Sequence, residues 1–113
     1  MGFKIGLAER RKEKLEKELD RLLSGIIKFG VEKVILFGSL SSDNVHKSSD
    51  IDLVIVQKTK KRFFERSDIF YRYLKPNVAV DILVYTPNEF NKMKDKNSFM
   101  KSVLNKGRII YEK

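Results

Sequence analysis

Three short apolar runs constrain this chain of 113 residues more than any other feature. They are Val34-Ile35-Leu36-Phe37, the stretch 51–56 (Ile-Asp-Leu-Val-Ile-Val) and the stretch 78–85 (Val-Ala-Val-Asp-Ile-Leu-Val-Tyr). Each lies within the roughly 4–8 residues of a strand buried on both faces and is too short for a buried helix. Gly38 ends the first run. The stretches between and around them carry helical spacing. In residues 9–29, Leu15, Leu19, Leu22 and Ile26 step by four, three and four, with charges on the opposite face. Gly30 suits the left-handed position that closes such a helix. In residues 62–74, Phe63, Phe70 and Leu74 form one stripe, and Lys75-Pro76-Asn77 stops it. Pro87 opens a short helix through Met93. Residues 97–105 read as another helix and 108–111 as a last strand, while 41–49 are a polar loop. Strands alternating with helices imply a mixed sheet with helices packed on it. The expected class is α+β, as a single domain over residues 1–113 with no internal repeat and no linker.

Composition excludes several function classes. The chain has no cysteine, so a disulfide scaffold, a thiolate zinc site and a cysteine nucleophile are out. No apolar run approaches the ~20 residues of a membrane span, and residues 1–10 lack the apolar segment of a secretory signal. A cytoplasmic location is therefore expected. Eight Phe and four Tyr in a chain that is 42% hydrophobic argue for a packed core rather than disorder. The net charge of +9, from 24 bases and 15 acids, calls for a polyanionic partner class: nucleic acid, a nucleotide or an acidic protein. The bases concentrate at Arg10-Arg11-Lys12 and at Lys58-Thr59-Lys60-Lys61-Arg62. Glutamates interleave with the first group, as on a solvated, ion-paired helix face. The second reads as a polar turn between a strand and a helix, either solvated or in contact with phosphates.

Three aspartates stand where the apolar pattern disfavours them. Asp50 and Asp52 flank Ile51 at a strand start, and a period of two puts both on one face. Asp81 interrupts an apolar strand, where an unpaired buried carboxylate costs several kcal/mol. If these strands are neighbours, three carboxylates converge. Two like charges 4 Å apart repel by ~1 kcal/mol in water and ~4 kcal/mol at an effective dielectric of 20. Such a cluster asks for bound cations or raised pKa values. All-oxygen ligands suit Mg²⁺ or Mn²⁺, in the two-metal layout of phosphoryl and nucleotidyl transfer. The ordinary alternative has Asp50 capping a loop, Asp52 facing solvent and Asp81 paired with Arg72 or Arg108. Gly38-Ser39, directly after the first strand, lets the backbone approach a phosphate closely, although a plain turn explains the same pair. His46, the sole histidine, reads as a surface residue. Phe63, Phe64, Phe70 and Tyr71 could stack bases, but their helical spacing is that of core residues.

Together, Gly38-Ser39, ten residues, Asp50-Ile51-Asp52 and an apolar strand bearing Asp81 resemble the active-site pattern of the DNA polymerase beta-type nucleotidyltransferase superfamily. The likeness covers residues 31–85, and the tail through Gly107-Arg108-Ile109-Ile110-Tyr111-Glu112 is similar to the end of its minimal members. Many of these act as antitoxins beside a HEPN-domain ribonuclease toxin. The resemblance implies a Mg²⁺-dependent enzyme that transfers AMP from ATP to a hydroxyl, a tyrosine of the HEPN partner. It implies that Gly38 and Ser39 bind the ATP phosphates. It implies that Asp50 and Asp52 bind both Mg²⁺ ions, with Mn²⁺ as an alternative, and that Asp81 completes one site and helps deprotonate the acceptor. Two alternatives stand beside it: a non-catalytic antitoxin that blocks its toxin by contact, and a small basic nucleic-acid-binding protein. Transfer to a small molecule would require a substrate pocket or helical domain that a chain of this length does not offer. One departure is visible. Minimal members carry arginines after Gly-Ser, whereas this run is Gly38-Ser39-Leu40-Ser41-Ser42-Asp43, with no base before Lys47.

Overall fold

A computed structural model describes residues 6–41, 45 and 49–113. His46, Lys47 and most of the polar loop around them lie outside the described residues. The elements follow the alternation of the sequence: α1 (Leu7–Ile27), β1 (Lys33–Phe37), β2 (Ile51–Val56), α2 (Phe63–Leu74), β3 (Val80–Tyr85), α3 (Pro87–Met93), α4 (Ser98–Lys106) and β4 (Arg108–Glu112). Each boundary lies within two residues of its sequence expectation, because the same punctuation sets both. Gly30 takes φ +71° after α1. Pro87 sits at the start of α3 behind a Thr86 cap that accepts from the Glu89 N–H. Asn97 caps α4 through the Met100 N–H.

The sheet has the order β3-β2-β1-β4. β1 pairs antiparallel with both β2 and β4, and β2 pairs parallel with β3 through the α2 crossover. β1 and β2 are therefore central, which explains the apolar runs Val34–Phe37 and Leu53–Val56. A period of two then divides the core. Val34, Leu36, Leu53, Ile55, Ile82 and Val84 pack under α1 and α2. Ile35, Val54 and Val56 pack under Phe90, Met100 and Val103 of α3 and α4. No helix among the described residues is long and apolar enough to cross a membrane.

Two half-buried ion pairs anchor polar networks that fasten the helices. Arg66, 9% exposed on α2, donates to Lys61 O and Val84 O and binds the Glu89 carboxylate at 2.6 Å. Glu18, buried on α1, accepts two bonds from Arg21 and two from Asn77. Arg21 also donates to Leu74 O and Lys75 O, so α1 grips the C-terminal end of α2 and the approach to β3. The Arg21 guanidinium, and then the Asn77 amides, hold the Glu18 carboxyl down to about 2 against the opposing effect of burial.

A carboxyl depressed on folding stabilises the native state above its unfolded pKa and loses that contribution as pH falls. Wild-type stability should therefore decline between pH 4.5 and about 2 partly through Glu18. Glu18→Gln should lower stability at neutral pH by about 1–2 kcal/mol, since it strips Arg21 of its charged partner. Thermal melts of both proteins across pH check this. Equal melting temperatures at pH 7 would show that the network is not load-sharing.

Candidate active site

The parallel ladder makes Asp52 and Asp81 direct partners, and Phe37 stands opposite Asp52 on its other side. Adjacent strands lie ~4.8 Å apart. Asp52 and Asp81 thus project from the α3/α4 face of the sheet as a facing pair, close enough to share a hydrogen bond when one is protonated. Asp52 is half-buried and Asp81 exposed. Burial first, then the Asp81 charge and hydrogen bond, then the Asp50 charge push the Asp52 carboxyl up to about 6. Asp81 is not buried among apolar neighbours as its sequence context suggests, because β3 is an edge strand and this end of its face is open. Nor does it pair with a base among the described residues. Arg72 binds Asp68 at 2.6 Å within α2, and Arg108 lies on β4 at the opposite edge of the sheet.

Three residues hold this pair in place. Gly38 adopts φ +77°, and a Cβ there would lie 2.2 Å from Asp52 Oδ2, so its bare backbone makes room for the carboxylate. Arg11 on α1 donates to Ser49 O at 2.9 Å and lies 3.6 Å from Asp50 Oδ1, tying down the approach to β2. This base belongs to a group whose sequence context reads as a solvated face. Tyr71 on α2 donates to Val80 O and accepts from the Ile82 N–H, both at 2.9 Å. Its hydroxyl replaces the strand neighbour that an edge lacks, on both sides of Asp81. Burial raises the Tyr71 pKa, with the Asp81 charge adding, so the hydroxyl stays protonated and able to donate. The sequence marks Tyr71 only as a half-core aromatic. Its positioning role depends on β3 being an edge, which spacing alone does not encode.

The structure brings Asp52 and Asp81 together and sets Asp50 beside them toward Arg11. Among the described residues, no three acidic or histidine side chains stand at metal-ligand spacing. The donor chemistry nonetheless fits a hard divalent cation: two facing carboxylates, a third adjacent, oxygen throughout, and a mutual repulsion that a cation relieves. Bases do stand beside the loop after Gly38, on the α1 side of the sheet rather than on the face that carries Asp52 and Asp81. A cavity of about 340 Å³ beside Leu40 and Ser41 is lined by Lys12 of α1, Glu16 and Arg108 of β4. The Ser41 hydroxyl bonds Gly38 O and Lys106 O, joining the loop to the end of α4. On the other side of Gly38, Phe37 and Phe99 meet edge to face at 5.6 Å beside Lys106. Sequence separation hid these bases, since Arg108 is 70 residues from Gly38.

Compared with known proteins, residues 13–113 match the family described as Polymerase beta, Nucleotidyltransferase. Two proteins of Methanocaldococcus jannaschii, each named "Putative protein adenylyltransferase", are similar. One is 32% identical over 108 residues, covering 88% of this chain and 97% of the relative. The other is 32% identical over 91 residues, covering 80% and 90%. The crystal structure of a protein from Sulfolobus solfataricus, titled a "putative nucleotidyltransferase", shares the fold. It matches with a TM-score of 0.68 at 20% identity over 97% of this chain and 91% of that one.

Two stability measurements test the geometry in metal-free protein. A carboxyl raised on folding keeps a proton that the unfolded chain releases, so its contribution falls as pH rises from about 4 to 6. Asp52→Asn should melt a few degrees higher than wild type above pH 6, with the gap closing below pH 4; a lower melting temperature at pH 7 would indicate a structural ion pair instead. Gly38→Ala and Gly30→Ala both place a side chain at positive φ, costing ~1–2 kcal/mol. Nothing lies within 4 Å of a Cβ at Gly30, so Gly38→Ala should cost clearly more, through the displaced Asp52. Equal costs would show that Asp52 yields freely.

Proposed function

The chain belongs to the polymerase beta nucleotidyltransferase family, and from that premise we propose that it transfers AMP from ATP to a hydroxyl of a partner protein. The acceptor in this reading is a tyrosine of a HEPN-type ribonuclease toxin, which the modification silences, making this chain the antitoxin. The observation that carries the chemistry is the Asp52–Asp81 pair at an open end of the sheet. The names of the two archaeal relatives support a protein acceptor. So does the exposure of Asp81, since a macromolecule can reach a carboxylate on an edge strand.

In this mechanism Gly38 and Ser39 receive the ATP phosphates through backbone N–H groups and the Ser39 hydroxyl. Arg108 and Lys12, beside Leu40 and Ser41, add positive charge to the loop that follows Gly38. Asp50, Asp52 and Asp81 would hold Mg²⁺, two ions in the full complement, with Mn²⁺ meeting the same ligand preference. When bound, the metal supplies a lowered acceptor pKa and neutralises the leaving charge. The acceptor oxygen attacks the α-phosphorus in line and the bond to the β-phosphate breaks. Pyrophosphate leaves, and the hydroxyl proton passes to Asp81. Tyr71 fixes the strand that carries this base.

Calorimetric titration with ATP should show binding that requires Mg²⁺ and is lost in Asp52→Asn. Incubation with the purified HEPN partner, ATP and Mg²⁺ should add one AMP to a partner tyrosine, read by intact mass and peptide mapping. Asp52→Asn and Asp81→Asn should lower that rate at least ~10³-fold while the fold survives. Neutralisation of the toxin by either variant at wild-type strength would replace catalysis with contact inhibition. Tighter ATP binding by Asp52→Asn would reduce the site to a basic surface.

A further inference from the structure

At the opposite end of the sheet from the aspartates, β2 runs into the loop 57–62 and then into α2. At about 3.3 Å per residue, Lys58 lies roughly 20 Å from Asp52. Lys58, Lys60, Lys61 and Arg62 are all exposed. None of the four forms an ion pair among the described residues, whereas Arg11, Arg21, Arg66 and Arg72 all do. The neighbouring acid does not neutralise them: Glu65 turns back to accept the Arg62 N–H. The loop is nevertheless shaped, with Thr59 Oγ1 accepting the Lys61 N–H and Lys61 O accepting from buried Arg66. Four unneutralised cations thus sit on a fixed backbone.

An aromatic surface adjoins them. Phe64 is 82% exposed, the most open large apolar side chain of the described residues. Phe63 supports it edge to face at 5.4 Å, and Phe63 in turn leans on Tyr85 of β3 at 5.4 Å. Of the aromatics in this helix that could stack a base, Phe70 is buried and Tyr71 is committed to β3. Tyr73, also exposed, sits at the far end of the helix with its ring edge against Phe29, so among the described residues Phe64 is the open ring that stands directly after the basic loop.

We propose that the Lys58–Phe64 surface binds single-stranded nucleic acid, with phosphates on the lysines and Arg62 and an unpaired base stacked on Phe64. Cations tracking a backbone beside an aromatic platform are the general recipe for such binding. A duplex hides its base faces and cannot use the ring. An acidic protein segment would satisfy the cations but leave Phe64 without a partner of its own chemistry. The site is separate from the nucleotidyl-transfer centre and does not rest on the reading given for it.

Fluorescence anisotropy with a labelled oligouridylate of about 12 nucleotides tests this. Wild type should bind it better than a duplex of equal length, with a log–log salt slope near −2 to −3, as for three or four phosphate contacts. Phe64→Ala should weaken binding about tenfold and leave nucleotidyl transfer intact. Lys60→Glu with Lys61→Glu should weaken it at least tenfold and flatten the salt slope. The same charge change at Lys14 and Lys17, exposed on α1, should cost less than about threefold. Circular dichroism confirms the fold of each variant. The proposal fails if Phe64→Ala binds as wild type, if the duplex binds as tightly as the single strand, or if the α1 pair costs as much as the loop pair. It also fails if polyglutamate displaces the oligonucleotide at equal charge, which would assign the face to an acidic protein.

Discussion

Two carboxylates facing one another across a parallel ladder repel, and this chain is organised around keeping them there. The direct Asp52–Asp81 register follows from β2 and β3 being parallel neighbours, which the α2 crossover enforces. Hydrophobic burial supplies the holding force. β2 is buried on both faces, and a one-residue slip would carry the Asp52 carboxylate onto the face packed under α1 and α2 and set each apolar set against the wrong helices. The repulsion therefore cannot relax by sliding. It adds instead to the effect of burial, which comes first, in pushing up Asp52, the only strongly raised carboxyl among the described residues. A divalent cation held between the two carboxylates would relieve that like-charge contact, so the packing of the core bears directly on what the pair can bind.

The supports of the pair are each placed where the sheet alone leaves it unsupported. On one flank β1 crowds Asp52, and only a glycine at position 38 leaves room. On the other flank β3 is an edge, and the Tyr71 hydroxyl stands in for the missing strand. At the start of β2, Arg11 reaches from α1 to Ser49 and Asp50. α1 and α2 are tied to each other by Glu18 and Arg21, so the two helices that carry these supports move as one body.

Most of the fold was legible in the sequence because its local signals agree with its tertiary ones. Short apolar runs marked the strands, and Gly30 and Pro87 marked the ends of helices. The aspartates were legible for the opposite reason, as violations of an apolar pattern. Their surroundings were not. Whether Asp81 is buried depends on strand order, and the order β3-β2-β1-β4 makes β3 an edge although its composition is that of an interior strand. Arg11 was hidden because a helix face rich in both charges looks solvated until its neighbour is known. Phe64 was hidden within a stripe of aromatics whose spacing does not say which ring points outward.

The departure after Gly38-Ser39 changes both how the loop is anchored and which elements bring bases beside it. An arginine in that loop would be tied to the phosphates by its own backbone. Here Leu40 is buried in its place and anchors the loop to the α1 side of the core. The bases that stand beside this loop come from α1 and from the α4–β4 turn, where Lys106 and Arg108 bracket Gly107. Gly107 is required for that approach, since a Cβ there would lie 2.7 Å from Leu36 O. The docking of the last strand against β1 thus fixes where Arg108 stands beside the loop that follows Gly38.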